Sequence, residues 1–221
     1  MASTLQSAHA HDAPHAHQFD DPVQQRESAE LGMWLFLATE IMFFGGLFAG
    51  YTVYRLYYES AFAAASAKTN LMLGTLNTAV LLTSSLCMAL AVYAAELSHR
   101  RWLILSLLGT IVLGTVFLGI KAYEWHEEYV EQLVPIFNLP FNKELPEQAA
   151  LFFNFYFAMT GLHAVHMIIG LVMLVTLLVL AQRGRLLGER STVVHVCGLY
   201  WHFVDIVWVF LYPLLYLVAA R

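Results

Sequence analysis

Residues 31–51 read LGMWLFLATEIMFFGGLFAGY, a stretch with a single formally charged side chain, Glu40, near its middle. About 20 apolar residues cross the hydrocarbon core of a bilayer as an α-helix, so this segment is long enough to span. An ionised carboxylate facing lipid at mid-depth costs at least about 2.5–3.5 kcal/mol. Glu40 is therefore expected to be protonated, to face other helices, or to do chemical work.

The rest of the chain extends this reading. Of 221 residues, 59% are hydrophobic and 12% charged, with a mean hydropathy of +0.62. A soluble domain carries about twice that share of charge. The apolar residues fall into blocks too long and too uniform for the alternating segments of a membrane β-barrel. The expected fold is all-α, a polytopic membrane bundle of five transmembrane helices. The spans are placed at about 29–57, 70–95, 102–123, 149–181 and 195–219. Pro213 lies near the far end of the last span, where a kink costs least. Residues 1–23 are expected to form a flexible tail, with the membrane domain over 24–221. The first twenty residues have neither the basic start nor the apolar core of a secretory leader. Cys87 and Cys197 both fall within spans, so no cysteine metal site or disulfide framework is expected.

Charge sets the expected topology. With the N-terminus cytoplasmic, the inner segments hold Arg26, Arg100, Arg101, Arg183, Arg185 and Arg190, and the outer ones Lys68, Lys143 and Arg221. That distribution follows the positive-inside rule and puts the C-terminus on the periplasmic side. The segment after the third span carries Glu124, Glu127, Glu128, Glu131, Glu144 and Glu147. It reads as a solvated linker or as a negative surface for a basic partner. Histidines 9, 11, 15 and 17 in the tail could hold a transition metal weakly, although a plain polar tail is the simpler reading.

The candidate site residues are the polar groups at membrane depth. Glu40 could titrate and convey a proton, or donate a structural hydrogen bond. Asn77, Glu124, His163, His166, His202 and Asp205 need partners on other helices, which requires a bundle with interior polar contacts. His163 and His166 are three apart and so lie on similar faces, as do His202 and Asp205. Their residue types leave open a haem held by His166 and His202, a His-x-x-His metal site with a carboxylate, or satisfied structural contacts, the favoured reading. A lone acid in one span does not make a proton path, so this chain is not expected to pump by itself. Gly46–Gly50 forms GxxxG, a weak packing signal on its own.

Five strings carry a more specific signal: GMWLFLATEIMFFGG (32–46), LNTAVLLTSS (76–85), LGTVFLGIKAYEW (113–125), FYFAMTGLHAVHMIIG (155–170) and YWHFVDIVWVFLY (200–212). In content and order they resemble the subunit III family of haem–copper terminal oxidases, over about residues 24–219. The chain looks like the short, five-helix form, which lacks the first two helices of the long form. The resemblance implies a bundle attached to subunit I, with no catalytic residues, metal or haem of its own. Haem and copper are then expected in the partner subunits, and bound phospholipid on this one. Glu40 matches the family's carbodiimide-reactive carboxylate. Asn77, Glu124, His163, His166, His202 and Asp205 are expected to hold the bundle together or contact lipid.

The implied role is stabilisation of subunit I and maintenance of proton uptake during oxygen reduction, in a bacterial or archaeal plasma membrane. The expected partners are subunit I, subunit II, a small subunit IV, another respiratory complex and membrane lipids, with no nucleic acid. Alternatives are an accessory subunit of a quinol oxidase or nitric oxide reductase, an autonomous transporter, and a b-type cytochrome anchor.

Overall fold

A computed structural model describes residues 22–135, 142, 145–184, 186 and 191–217. The tail histidines, Lys143, Glu144, Arg185, Arg190 and Arg221 lie outside the described residues. The elements are α1 (Pro22–Tyr57), α2 (Glu59–Ser66), α3 (Leu71–Glu96), α4 (Arg100–Val130), α5 (Ala149–Gln182) and α6 (Ser191–Tyr216). The five long helices are each long and apolar enough to cross a membrane, so the chain is a multi-pass membrane protein. No strand occurs among the described residues.

Helices α3, α4, α5 and α6 pack in a ring, each against the next, and α1 lies over the α5–α6 face. One end of the bundle carries the α3–α4 turn and the end of α5. The other carries α2, the end of α4 and the end of α6. The short α2 was not anticipated, because its small residues, ESAFAAAS, carry no span-length signal. It buries Phe62 completely against Tyr51 and Phe152.

Helix α4 runs past the expected 102–123 to Val130, and Glu124, Glu127 and Glu128 are therefore helical rather than loop. Helix α1 begins at Pro22, a residue whose fixed φ suits the first turn.

The ends show how the sequence stops each helix. Helix α3 starts at Asn70, whose side-chain oxygen accepts from the Leu73 amide at 3.2 Å. It ends with Ser98 at φ 57°, and the His99 amide donates to the Ala94 carbonyl at 2.9 Å. Helix α4 repeats this arrangement. Gln132 sits at φ 59°, and the amide of the buried Leu133 donates to the Glu128 carbonyl at 2.9 Å. Helix α5 ends on Gly184 at φ 70°, where glycine carries no Cβ penalty.

Two further ends are satisfied from other helices. Arg100 donates to the Ala181 and Gln182 carbonyls at the end of α5, where a cation is favoured by the helix dipole. Tyr51 and Ser66 donate to the Leu214 and Leu215 carbonyls at the end of α6. Gly74, Gly114 and Gly198 allow close approaches. A Cβ at Gly74 would sit 2.9 Å from the Tyr216 ring, and one at Gly114 would sit 2.8 Å from the Trp201 ring.

Candidate functional site

The mid-membrane polar residues separate into three groups. In the first, Glu40 on α1 meets His166 on α5, with Oε2 and Nε2 3.1 Å apart. The His166 Nδ1 lies 2.8 Å from the Leu162 carbonyl. A carbonyl only accepts, so that neighbour requires hydrogen on Nδ1. Nε2 then either accepts from a protonated Glu40 or, in the imidazolium, donates to its carboxylate. Either way the carboxyl group of Glu40 has a partner on a neighbouring helix and does not face lipid alone. The Tyr200 hydroxyl donates to the His166 carbonyl at 3.1 Å, and the Phe44 ring packs edge-on against the imidazole. Glu40 is thus a helix-facing acid with its own partner. Its side chain stays 20% exposed, so the α1 side of the pair remains open to the surroundings.

The second group lies where α4, α5 and α6 converge near α2. Lys121 is buried in span-length helix, and its Nζ donates to Glu124 Oε2 at 3.0 Å, Tyr156 OH at 2.7 Å and Tyr216 OH at 2.7 Å. The Tyr216 hydroxyl donates to the other Glu124 oxygen at 2.7 Å. The ammonium's three hydrogens and both oxygens of Glu124 are therefore engaged. The ammonium also lies 4.5 Å from the Tyr156 ring centroid. Sequence reasoning missed Lys121, Tyr156 and Tyr216. The i, i+3 spacing of Lys121 and Glu124 was a local signal for the ion pair. Nothing local announced the two tyrosines, which come from other helices.

The third group holds the remaining candidates. The Ser85 hydroxyl and His202 Nδ1 are 2.8 Å apart, joining α3 to α6. Asn77, His163 and Asp205 are buried, and their side-chain polar atoms have no hydrogen-bond partner among the described residues. Partners are thus seen for His166 and His202, and none for His163 and Asp205 among the described residues. The cause for His163 is its setting: it packs between the rings of Phe117 and Trp208, which offer no acceptor.

His163 and His166, three apart, point to different neighbours, α4–α6 and α1. A rotation of about 60° between i and i+3 positions is enough to separate them. His166 is engaged by α1 and His202 by α3. Among the described residues no group of three or more His, Cys, Asp or Glu side chains converges to hold a metal ion.

The acidic segment is not a solvated linker throughout. Glu124 and Glu128 are buried, so they add no charge to a docking surface. Glu131 and Glu147 are exposed and Glu127 is half-buried.

The sequence profile of the family described as cytochrome c oxidase subunit III matches residues 15–220. The chain belongs to the cytochrome c oxidase subunit III family. Among its relatives, cytochrome c oxidase subunit 3 of Alkalihalophilus pseudofirmus is 32% identical over 86% of this chain and 86% of its own length. A probable quinol oxidase subunit 3 of Staphylococcus aureus is 28% identical over 90% and 94%. A protein of Aeropyrum pernix named heme-copper oxidase subunit I+III is 29% identical over 87% of this chain and 23% of its own length. For a subunit III chain, the family match agrees with the order of the five quoted strings along α1, α3, α4, α5 and α6.

Between α1 and α6 runs an apolar groove of about 430 Å³, lined by Trp34, Leu37, Phe44, Phe48, Phe203 and Phe210 among others. It lies beside the Glu40–His166 pair, since Phe44 touches both the groove and the imidazole.

Proposed function

We propose that this chain is a non-catalytic accessory subunit of a haem–copper cytochrome c oxidase, binding subunit I and prolonging its activity during oxygen reduction. The observation that carries the reading is the family match together with the Aeropyrum relative, in which a subunit III-like region is named as one protein with subunit I. In that partnership haem and copper reside in the other subunits. Subunit II, a small subunit IV and a further respiratory complex are the remaining proposed neighbours, in a bacterial or archaeal plasma membrane with the N-terminus cytoplasmic.

The long helices support a role in lipid and protein contact. Helix α1 exposes Trp34, Leu35, Ile41 and Met42, an apolar side that lipid or a neighbouring subunit covers in a membrane. The α1–α6 groove is proposed to take a phospholipid acyl chain: its walls are aromatic and aliphatic, and its volume suits a chain rather than a headgroup. The Glu40–His166 contact beside it supports a role in sustaining proton uptake, because it joins an acid and an imidazole across two spanning helices.

A quinol oxidase is the second reading, favoured by the staphylococcal relatives. Burial of Glu124 and Glu128 removes part of the acidic surface that would attract a basic cytochrome c, so the name of the donor rests on the partner chains.

The test is purification in mild detergent through this chain, then haem and copper analysis of the complex and of the dissociated chain. Haem and copper in the complex with none on this chain is the expected result. Haem retained by the isolated chain would make it a cytochrome and reject the proposal. Flux of an ion or solute through the isolated chain in liposomes would favour a transporter instead.

A further inference from the structure

Glu128 is 4% exposed, and neither of its carboxyl oxygens has a hydrogen-bond partner among the described residues. Its neighbours explain why. Lys121, the nearby cation, spends its three hydrogens on Glu124, Tyr156 and Tyr216. Lys121 and Glu124 form a complete, neutral pair, and Tyr216 closes it. Glu128 is the odd acid beside a finished network. An ionised carboxylate buried without a donor costs several kcal/mol, so this position calls for a positive species to join it. The space for one exists. A polar pocket of about 90 Å³ is lined by Lys68, Asn70, Glu124, Glu127, Glu128 and Glu131 at the α2 end of the bundle. Its two rim acids, Glu127 and Glu131, are partly or fully exposed, so the pocket opens to the protein surface at that end.

We propose that Glu128 is a proton-binding site that loads and unloads through this pocket. The exchange is a transfer from hydronium in the pocket to a carboxylate oxygen, giving the neutral acid and water, with the reverse step on unloading. The charged and titratable groups facing Glu128 are Lys121, Glu124, Glu127 and Glu131 on α4, Lys68 before α3, Tyr156 on α5 and Tyr216 on α6. Lys121 is engaged as described, and Lys68 lines the pocket with an interaction of its own. This geometry is the same whichever oxidase the chain serves.

Infrared spectroscopy of the purified complex tests it, in H₂O and D₂O, with E128Q and E131Q and with elemental analysis for metals. The expected result is a carboxylic-acid carbonyl band that shifts in D₂O, is lost in E128Q and is kept in E131Q, with no metal lost. An unchanged band pattern in E128Q overturns the proposal. Stoichiometric metal that disappears in E128Q overturns it too, since the site would then hold a metal cation. So does failure of E128Q to assemble, because glutamine copies the neutral acid in size and hydrogen-bonding groups.

Discussion

Replacing Lys121 with methionine removes one charge and three hydrogen bonds from a buried site. Methionine fills nearly the same volume, so cavity formation contributes little. Hydrogen bonds to charged groups are worth about 1.5–3 kcal/mol each, so simple addition of the three would give about 4.5–9 kcal/mol. That sum overstates the loss, because the wild-type ammonium also had to be desolvated. The dominant cost is the Glu124 carboxylate left buried with Tyr216 as its one remaining donor. Stranding one member of a buried ion pair costs about 3–5 kcal/mol, and this is the magnitude expected for K121M.

The companion variant separates pairing from packing. K121M/E124Q removes the stranded charge and should recover most of the loss, returning to within about 1–2 kcal/mol of wild type. The assay is reversible unfolding of the purified chain in mixed micelles, titrated with SDS and followed by tryptophan fluorescence. The buried Trp201 and Trp208 report on packing of the ring of helices. A K121M cost below about 1 kcal/mol, or a double variant less stable than K121M, would refute the account of a complete ion pair ringed by tyrosines.

Further outcomes are expected. In the same assay G114A should destabilise by about 1–3 kcal/mol, since its methyl meets the buried Trp201 ring at 2.8 Å, whereas G161A, with nothing within 4 Å, should gain up to about 1 kcal/mol. R100A should cost about 1 kcal/mol and speed amide exchange at the end of α5, where two carbonyls lose their donor. E40Q should assemble normally, because the glutamine amide can donate to His166 Nε2 while Nδ1 keeps the Leu162 carbonyl. Haem content and initial oxygen consumption of the complex should stay near wild type, and normal haem with lost proton pumping would contradict a supporting role. Depletion of the whole chain should shorten the active lifetime of the oxidase more than it lowers the first-turnover rate, which a time course of oxygen uptake reads directly.

The sequence determined the class of this protein because membrane solvent is a severe filter. Runs such as 31–51 and 149–181 are too long and too apolar for anything but spanning helices, and lipid leaves the backbone no other way to satisfy its hydrogen bonds. Depth was legible too: Glu40, Asn77, His163, His166, His202 and Asp205 all proved to lie within spanning helices.

Which of those residues meet was a tertiary matter. Glu40 and His166 are 126 positions apart, and no periodicity within either helix reports the rotation of α1 against α5. Three-residue spacing suggested that His163 and His166 act together, yet the small angle between them sends one to the α4–α6 aromatics and the other to α1. The Lys121 cluster draws on α4, α5 and α6, and Glu124 and Glu128 turned from a solvated acidic segment into buried groups because α4 continues to Val130. In lipid the apolar surface of a helix has no preferred direction, so hydropathy sets which segments enter the membrane. The choice of facing side chains comes from close packing and from polar groups finding one another.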